Sequence, residues 1–274
     1  MPRRVHVYKR VSCLTHMRVL AVLCVLCVLP RADGAFAVIG DWGRGGTADQ
    51  RRVASLMRAH DVSFVVSTGD NFYPRGLTST SDPRLLQWEE VYAPRIPWYL
   101  ALGNHDYRGN ASAQVALTEV LTFWNMPAPY YDAVVEGVHL FVLDTTPWVS
   151  GADVAAQRAW LRAGWRSSNA VRKVMVGHHP LWTCGYHHDR DAMEDLRATV
   201  LPLLDGAPYI AGHDHNLQHI VRAGARTFVS GAGASTYAVH DCPGLRYGNG
   251  DEVGFLLVEG DSYAFVTALG VREV

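Results

Sequence analysis

The sequence is poor in cysteine and has no long hydrophobic run. It contains five cysteines in 274 residues, and only Cys184 and Cys242 lie beyond residue 34. A disulfide-rich scaffold is therefore excluded; these two residues could form one disulfide, and the sequence leaves that question open. The apolar run Val19–Leu29 has 11 residues, whereas a helix needs about 20 to cross a bilayer. This run is too short to span a membrane.

The sequence also lacks an excess of charge. Its formal net charge is −1, and it has no basic stripe with interleaved aromatic residues, which argues against binding of nucleic acid. Internal repeats, low-complexity tracts and long linkers are missing as well. With 49% apolar and 19% charged residues, the composition is typical of a globular enzyme, and the length suits one large domain or two small ones.

The first 34 residues have the pattern of a targeting segment. Small residues follow the apolar run Val19–Leu29, and five basic residues precede it: Arg3, Arg4, Lys9, Arg10 and Arg18. This pattern predicts a signal peptide over residues 1–34, cleaved near Ala32 or Gly34. An uncleaved signal anchor is the alternative, and Met17 is a second candidate for the start of translation. Residues 35–274 then form the folded domain.

A signal peptide predicts entry to the secretory pathway, with the protein secreted or delivered to a lysosome- or vacuole-like compartment. Without its signal peptide the chain has no stable membrane insertion. The triplet Asn110-Ala111-Ser112 is an N-glycosylation sequon and weakly supports export. We expect a monomer.

Short β-branched runs alternate with helical stretches, and the later part of the chain is mostly strand. We predict strands over Ala35–Ile39, Val62–Ser67, Trp98–Leu102, Tyr130–Val135, Val138–Leu143, Lys173–Val176, Tyr209–Ala211, Ile220–Arg222, Thr227–Ser230, Val253–Glu259 and Tyr263–Ala268. The predicted helices cover Thr47–His60, Asp82 to about Val91, Ser112–Trp124, Val154–Ser167 and Asp191–Leu204. The fold class is α/β, with two packed sheets flanked by helices.

Five polar clusters directly follow predicted strands, and a glycine introduces each of them. They are Gly40-Asp41-Trp42-Gly43, Gly69-Asp70-Asn71-Phe72-Tyr73, Gly103-Asn104-His105-Asp106, Gly177-His178-His179-Pro180 and Gly212-His213-Asp214-His215. Ligands gather at the carboxyl ends of strands in α/β sheets, so we expect the five loops to meet at one edge of the sheet. They supply carboxylates, imidazoles, an amide and a phenol, which are metal ligands.

This set resembles the five-block signature of the calcineurin-like metallophosphoesterases, and its form is similar to that of the purple, or tartrate-resistant, acid phosphatases. Tyr73, three residues after Asp70, carries the distinction, because the wider family lacks a tyrosine ligand there. The resemblance extends over residues 35–270. It implies a four-layer α/β/β/α sandwich of two mixed sheets flanked by helices.

The resemblance also implies a set of metal ligands. Asp41, Asp70, Tyr73 and His215 would hold a first metal; Asn104, His178 and His213 would hold a second, to which Asp70 bridges. Three anionic ligands at the first metal favour Fe(III), which can deprotonate the tyrosine. The neutral donors at the second metal suit Fe(II), Zn or Mn.

The implied reaction is hydrolysis of a phosphate monoester by in-line attack of a metal-bound hydroxide, which makes the protein an acid phosphatase. By the same resemblance, His105 contacts the phosphate or protonates the leaving group, and Asp106 orients a histidine. His187 is expected to face the substrate, with its neighbour His188 as the alternative. His179 and His219 are expected to pack around the site.

The sequence departs from the family in two ways. The stretch from Thr145 to Ala155 is short where the mammalian enzymes carry a long cleavable loop, and Cys184 and Cys242 do not occupy the family's usual cysteine positions. Two other functions stay open. One is a non-catalytic scaffold or anchor with the same fold, and the other is a phosphodiesterase or nucleotidase of the same superfamily.

Overall fold

The computed structural model describes residues 34–188 and 193–274. The predicted signal peptide therefore lies outside the described residues except for Gly34, and so does the predicted start of a helix at Asp191. No helix in the described ranges is both long enough and apolar enough to cross a membrane.

The described chain contains six helices and fourteen strands. The helices are α1 (Ala48–Arg58), α2 (Leu86–Tyr92), α3 (Ala111–Ala116), α4 (Thr146–Ser150), α5 (Ala155–Ser167) and α6 (Glu194–Leu204). The strands are β1 (Phe36–Ile39), β2 (Phe64–Ser67), β3 (Trp98–Leu100), β4 (Trp124–Asn125), β5 (Tyr131–Val135), β6 (Val138–Val142), β7 (Arg172–Val176), β8 (Tyr209–Ala211), β9 (Leu217–Arg222), β10 (Ala225–Ser230), β11 (Leu245–Asn249), β12 (Gly254–Glu259), β13 (Ser262–Thr267) and β14 (Gly270–Glu273). Single 3₁₀ turns occur at Pro83–Leu85, Asp106–Arg108 and Leu117–Glu119.

The strands form two seven-stranded mixed sheets. The first sheet has the order β14-β13-β12-β1-β2-β3-β4, and the second has the order β11-β9-β10-β8-β7-β6-β5. In the first sheet β1, β2, β3 and β4 are parallel, whereas β12, β13 and β14 are antiparallel to their neighbours. In the second sheet β6, β7, β8 and β10 are parallel and the outer strands are antiparallel. The predicted pair of mixed sheets is confirmed.

Successive side chains along a strand point to opposite faces of the sheet, so the buried residues form two layers. Along β7, Val174 and Val176 pack into the core between the sheets, whereas Met175 packs on the outer side of the second sheet. That outer layer includes Leu161 and Trp165 of α5. Each large side chain buried in this way stabilises the fold by about 1.5–3 kcal/mol. The result is the predicted α/β/β/α arrangement.

Helix α1 shows why its sequence forms a helix at this position. The Thr47 hydroxyl accepts a hydrogen bond from the backbone amide of Gln50 at 3.3 Å and caps the first turn. Gln50, Val53, Ala54 and Met57 recur at helical spacing and are buried against the first sheet. Placing a charge at Val53, which is fully buried, would break this contact.

One predicted helix is wrong in its second half. The helix expected over Ser112–Trp124 begins at Ala111, where Asn110 caps it, and its regular part ends at Ala116. Trp124 instead begins β4 and pairs with Trp98 of β3. Its ring packs against Trp88 with centroids 5.2 Å apart. Burial of this indole outweighs the helical pattern around it. Helix α4 and strands β11 and β14 were not predicted from the sequence.

The five polar clusters do follow strands, but they do not share one sheet as predicted. Those after β1, β2 and β3 extend from the first sheet, and those after β7 and β8 extend from the second. Because the two sheets pack face to face, their loops meet at one end of the sandwich. The site is therefore built between the sheets.

Candidate metal centre

Three of the predicted ligands sit on strained backbone. Asp41, Asp70 and His213 have φ angles of 60°, 53° and 69°, the left-handed region that residues other than glycine rarely adopt. Such strain costs about 1–3 kcal/mol per residue and concentrates at functional sites. A side chain on Gly103 would overlap Oδ1 of Asp70, so this glycine is needed for the close approach of two loops.

One group of polar atoms converges on the hydroxyl of Tyr73. That oxygen lies 2.8 Å from Oδ1 of Asp41 and 2.7 Å from Oδ2 of Asp70. It also lies 3.1 Å from Nε2 of His215. The hydroxyl has one proton, yet two carboxylate oxygens compete for it and a ring nitrogen also faces it. A cation among these four atoms would resolve that mismatch.

A second group of polar atoms converges on Nε2 of His178. Nδ1 of His178 donates to the carbonyl of Thr68 at 3.0 Å, so in the neutral ring Nε2 carries a lone pair. Nε2 faces Oδ1 of Asn104 at 3.0 Å and Oδ1 of Asp70 at 3.5 Å. Nδ1 of His213 lies 3.2 Å away. Lone pairs that face one another fit a second cation, and Asp70 contributes one oxygen to each group.

The pKa shifts agree with this picture. Burial, followed by the charge of Asp41, raises the pKa of Asp70 to about 6. Burial also raises the pKa of Asp41, but His215, His178 and Tyr73 together hold that pKa below the ordinary value. The pKa values of His178 and His213 are lowered, chiefly by burial. The centre thus favours neutral imidazoles, which is the form that binds metals.

Tyr73 shows the same tendency. Its pKa is raised well above the ordinary value, first by burial and then by Asp41 and Asp70. The phenolate would therefore form only if a cation displaced the proton. Across the described residues, two sets of three groups hold ligand atoms within 4.8 Å of one another: Asp41–Asp70–His178 and His178–His179–His213. The donor set fits a pair of metal ions.

His179 packs beside this centre, as the sequence predicts. Its ring is 4.5 Å from that of His213, and its Nδ1 lies 2.8 Å from the hydroxyl of Thr145. The sequence offered one signal for it, the direct repeat of two histidines after β7. His219 is remote from the centre and stacks on Phe228 in the second sheet.

Asp106 does not orient a histidine as predicted. Its fully buried carboxylate accepts hydrogen bonds from the amides of Gly103 at 2.9 Å and Asn71 at 3.1 Å, and from the side chain of Gln114 at 2.7 Å. Burial, followed by the charge of Asp70, raises its pKa to about 7. Asp106 fastens the loops after β2 and β3 together, because its oxygens satisfy amides that would otherwise be buried without partners.

Asp214 is the carboxylate that holds a histidine. Its Oδ1 lies 2.7 Å from Nδ1 of His187, and its side chain is fully buried. The imidazole of His187 stacks on that of His213 with centroids 4.0 Å apart. His187 was predicted from the sequence, but its partner Asp214 was not. The available signal was an aspartate between two predicted ligands. His188 is held by the carbonyl of Gly185 at 2.8 Å.

His105 occupies the opposite wall. Its backbone amide donates to Oδ1 of Asp70 at 2.7 Å, and its Nδ1 donates to the carbonyl of Pro74 at 2.7 Å. Burial lowers the pKa of His105. Both His105 and His187 line a cavity of about 1000 Å³ that also exposes Asp70, Tyr73, Asn104, His213 and His215.

The rim of this cavity contains residues that the sequence analysis did not single out. The guanidinium of Arg44 lies 4.0 Å above the ring of Tyr73, and Arg108 lines the same cavity. Tyr186 packs edge-on against His187, and Tyr237 stacks on His215 at 4.4 Å.

The open question about the cysteines is resolved by the structure. Cys184 and Cys242 form a disulfide, with Cα atoms 5.6 Å apart. Cys184 begins the loop that carries His187, and Cys242 follows the segment that carries Tyr237. The amide of His240 also donates to the carbonyl of Cys184 at 2.8 Å. The disulfide therefore ties together two segments of the cavity rim.

Fold and site define a class of protein. Residues 34–217 match the family model of the calcineurin-like phosphoesterases, and the chain belongs to this family. Homology to this family implies a dinuclear metal centre, and the carboxylate and histidine groups that converge here fit such a centre.

Curated relatives narrow the class. Over 226 residues the chain is 38% identical to purple acid phosphatase 4 of Arabidopsis thaliana, covering 70% of this chain and 65% of that protein. It is 30% identical over 234 residues to tartrate-resistant acid phosphatase type 5 of Mus musculus, covering 72% of each. These relatives place the chain with the purple acid phosphatases, and it is a phosphatase.

The solved structure of GAP50, the anchor in the inner membrane complex of Plasmodium, has a TM-score of 0.73 to this chain and covers 89% of both. The two sequences are 23% identical, so the likeness shows a shared fold.

Proposed function

We propose that this protein hydrolyses phosphate monoesters at a two-metal centre. The observation that supports the proposal is the convergence of lone pairs on two points, one at the Tyr73 hydroxyl and one at Nε2 of His178, with Asp70 shared between them. The seven residues that would hold the metals are Asp41, Asp70, Tyr73, Asn104, His178, His213 and His215.

The donor chemistry supports different metals at the two points. Asp41, Asp70 and Tyr73 offer three anionic oxygens, which favour Fe(III). The second point offers one shared carboxylate and neutral donors, which suit Fe(II), Zn or Mn. When bound, such a pair supplies Lewis-acid activation of the ester and acidifies a water.

The remaining chemistry falls to the two histidines of the cavity walls. Nδ1 of His105 is committed to the carbonyl of Pro74 and Nδ1 of His187 to Asp214, which leaves Nε2 of each ring to exchange protons. We infer that these Nε2 atoms contact the phosphate oxygens or protonate the leaving oxygen. The carboxylate of Asp214 stabilises the cationic form of His187.

The metal content and the visible spectrum of the purified protein test the centre. We expect two metals per chain and a tyrosinate charge-transfer band that Tyr73→Phe abolishes. Tyr92→Phe is the matched control, since Tyr92 is a buried tyrosine packed on Trp42 away from the ligand atoms; it should keep the band. A colourless protein with two divalent metals would reject Fe(III). A chain that binds no metal under replete conditions would reject the enzyme and favour a scaffold.

A pair of substrates tests the reaction. We expect faster hydrolysis of 4-nitrophenyl phosphate than of bis(4-nitrophenyl) phosphate. The opposite preference would identify a phosphodiesterase, which the metal centre alone cannot distinguish from a monoesterase.

We further propose that the protein enters the secretory pathway with a cleaved signal peptide, reaches the exterior or a lysosome- or vacuole-like compartment as a glycoprotein, and acts there as a monomer on phosphate esters. Asn110 of the sequon is exposed at the start of α3. Amino-terminal sequencing and the mass of the exported chain test this proposal.

A further inference from the structure

A second cavity lies at the end of the sandwich opposite the metal centre. It has a volume of about 1080 Å³ and is bordered by the last turns of α5 and α6 and by the first residues of β7 and β10. Lys173 of β7 lines it, whereas His178 follows the other end of the same strand. Strands rise about 3.3 Å per residue, so roughly 15 Å separates the two sites.

This cavity is rich in positive charge. Five cationic side chains line it, namely Arg162, Arg166, Arg172, Lys173 and Arg226, against two acidic ones, Asp205 and Asp261. The surrounding domain has the opposite balance, because residues 34–274 contain 19 Lys and Arg against 25 Asp and Glu. A quarter of the cations of an acidic domain therefore border a single cavity.

Aromatic rings hold two of these cations in place. Nζ of Lys173 lies 5.1 Å from the ring of Trp165, and the guanidinium of Arg226 lies 4.6 Å from that of Tyr263. Within the ranges that the structure describes, Arg162, Arg166, Lys173 and Arg226 form no ion pair with a carboxylate. Their charge is left for an external anion to balance.

The ends of the neighbouring helices explain only part of this arrangement. Cations near a helix carboxyl end stabilise it by about 0.3–1 kcal/mol, which accounts for Arg166 in the last turn of α5 and for Lys173, 3.5 Å from the carbonyl of Trp165. Arg172 and Arg226 belong to strands, where they share a face with Val174 and Phe228 of the core between the sheets. Helix ends give no reason for cations there.

We propose that this cavity binds a compact phosphorylated polyanion, in the class of short polyphosphates. Its net lining charge of +3 matches an anion of several negative charges, and guanidinium groups bind phosphate oxygens in pairs. A concave space of about 1080 Å³ holds a chain of a few phosphates, whereas a nucleic-acid duplex or a flat lipid surface could not enter it. A phosphorylated lipid headgroup shares this chemistry with the free anion.

Calorimetry on the full metal-loaded protein with bismethylene triphosphonate tests the proposal, since its P–C–P bridges resist hydrolysis. Saturating vanadate blocks the metal centre. We expect one binding event to survive vanadate and to weaken at least about tenfold in Lys173→Gln/Arg226→Gln, because two charge-assisted contacts are lost. Arg52→Gln/Arg272→Gln removes two cations outside the cavity and should bind like the parent protein. All variants should keep parental turnover of 4-nitrophenyl phosphate.

The exposed pair Arg162→Gln/Arg166→Gln guards against misfolding of the first variant and should also weaken the vanadate-resistant event. Vesicles of phosphatidylcholine with a phosphatidylinositol bisphosphate test whether the ligand is a free anion or a phosphorylated lipid headgroup. Binding of the free anion alone supports a soluble ligand, and binding of both supports a headgroup that enters the cavity. A single event that vanadate abolishes, parental affinity in both cavity variants, or binding to vesicles alone would overturn the proposal.

Discussion

Replacement of Asp214 by asparagine tests whether His187 takes part in catalysis. Asp214 is fully buried and accepts a hydrogen bond from Nδ1 of His187 at 2.7 Å. Asparagine preserves the shape and one acceptor oxygen but removes the charge that stabilises an imidazolium. Hydrogen bonds to charged groups contribute about 1.5–3 kcal/mol, roughly twice as much as neutral ones. Loss of the charged part should raise the barrier by about 1–2 kcal/mol, which lowers kcat about 5- to 30-fold.

Steady-state kinetics with 4-nitrophenyl phosphate, measured across pH, give the comparison. We expect kcat to fall more than KM changes, because the imidazole of His187 loses its anionic partner while the substrate contacts stay in place. Metal content per chain must be measured in parallel, since Asp214 lies between two predicted ligands.

The chain offers a matched control in Asp132→Asn. Asp132 pairs with His139 at 2.9 Å in the same chemistry, on the β5–β6 hairpin away from the cavity. This variant should stay within about twofold of the parent kcat. A parental kcat in the Asp214 variant with both metals bound would refute the role of His187. A fall in kcat accompanied by a loss of metal would show that Asp214 supports the metal centre and does not act through His187.

Three other changes test stability. Burial lowers the pKa of His219 to about 4, so the folded state resists protonation of a group with an unfolded pKa of about 6.5. Neutral His219 leaves the free energy of unfolding undiminished above pH 6.5, and about 1–3 kcal/mol of it is lost as the pH falls toward 4. In urea unfolding at pH 7.5 and 4.5, His219→Phe should lack this loss of stability in acid. An equal loss in the variant and the parent protein would contradict the prediction. Serine at both Cys184 and Cys242 removes a disulfide that spans 58 residues. By the chain-entropy estimate, the free energy of unfolding measured by calorimetry should fall by about 4 kcal/mol. KM should rise because the two rim segments separate, and an unchanged KM would show that the disulfide does not position the rim. Removal of metal by a strong chelator should lower Tm, since the buried carboxylates of Asp41 and Asp70 lose their counter-charge, and added metal should restore it; a Tm unaffected by chelation would argue against a bound metal pair.

Local sequence signals predicted most strands and the loops that follow them. The strand Tyr209–Ala211 and the hairpin of β5 and β6 were predicted within one residue, because β-branched runs bounded by glycine or by a turn have few alternatives. The helix beyond Ala116 was wrong, since its periodic pattern competes with the burial of Trp124 against Trp88. No short-range pattern contains that contact.

The roles of the aspartates show the same limit. Asp106 and Asp214 both stand beside predicted ligands, and no local pattern distinguishes the partner of one from that of the other. The fold places the carboxylate of Asp106 on the amides of Gly103 and Asn71, and it places Asp214 beside Nδ1 of His187, 27 residues away in the chain. Arg44, Tyr186 and Tyr237 were overlooked because nothing in their local sequence distinguishes a cavity rim from an ordinary loop.

The sequence by itself determined the α/β class, the strand ends that carry polar clusters and the residue types that suit two metals, because each depends on spacing within a few residues. Tertiary structure decided that the clusters come from two sheets, that Cys184 and Cys242 join, and that five cations gather at the far end of the sandwich. These features depend on contacts between residues far apart in the chain. Their geometry is set by how the two sheets pack on one another, which burial of the shared core determines and no local pattern records.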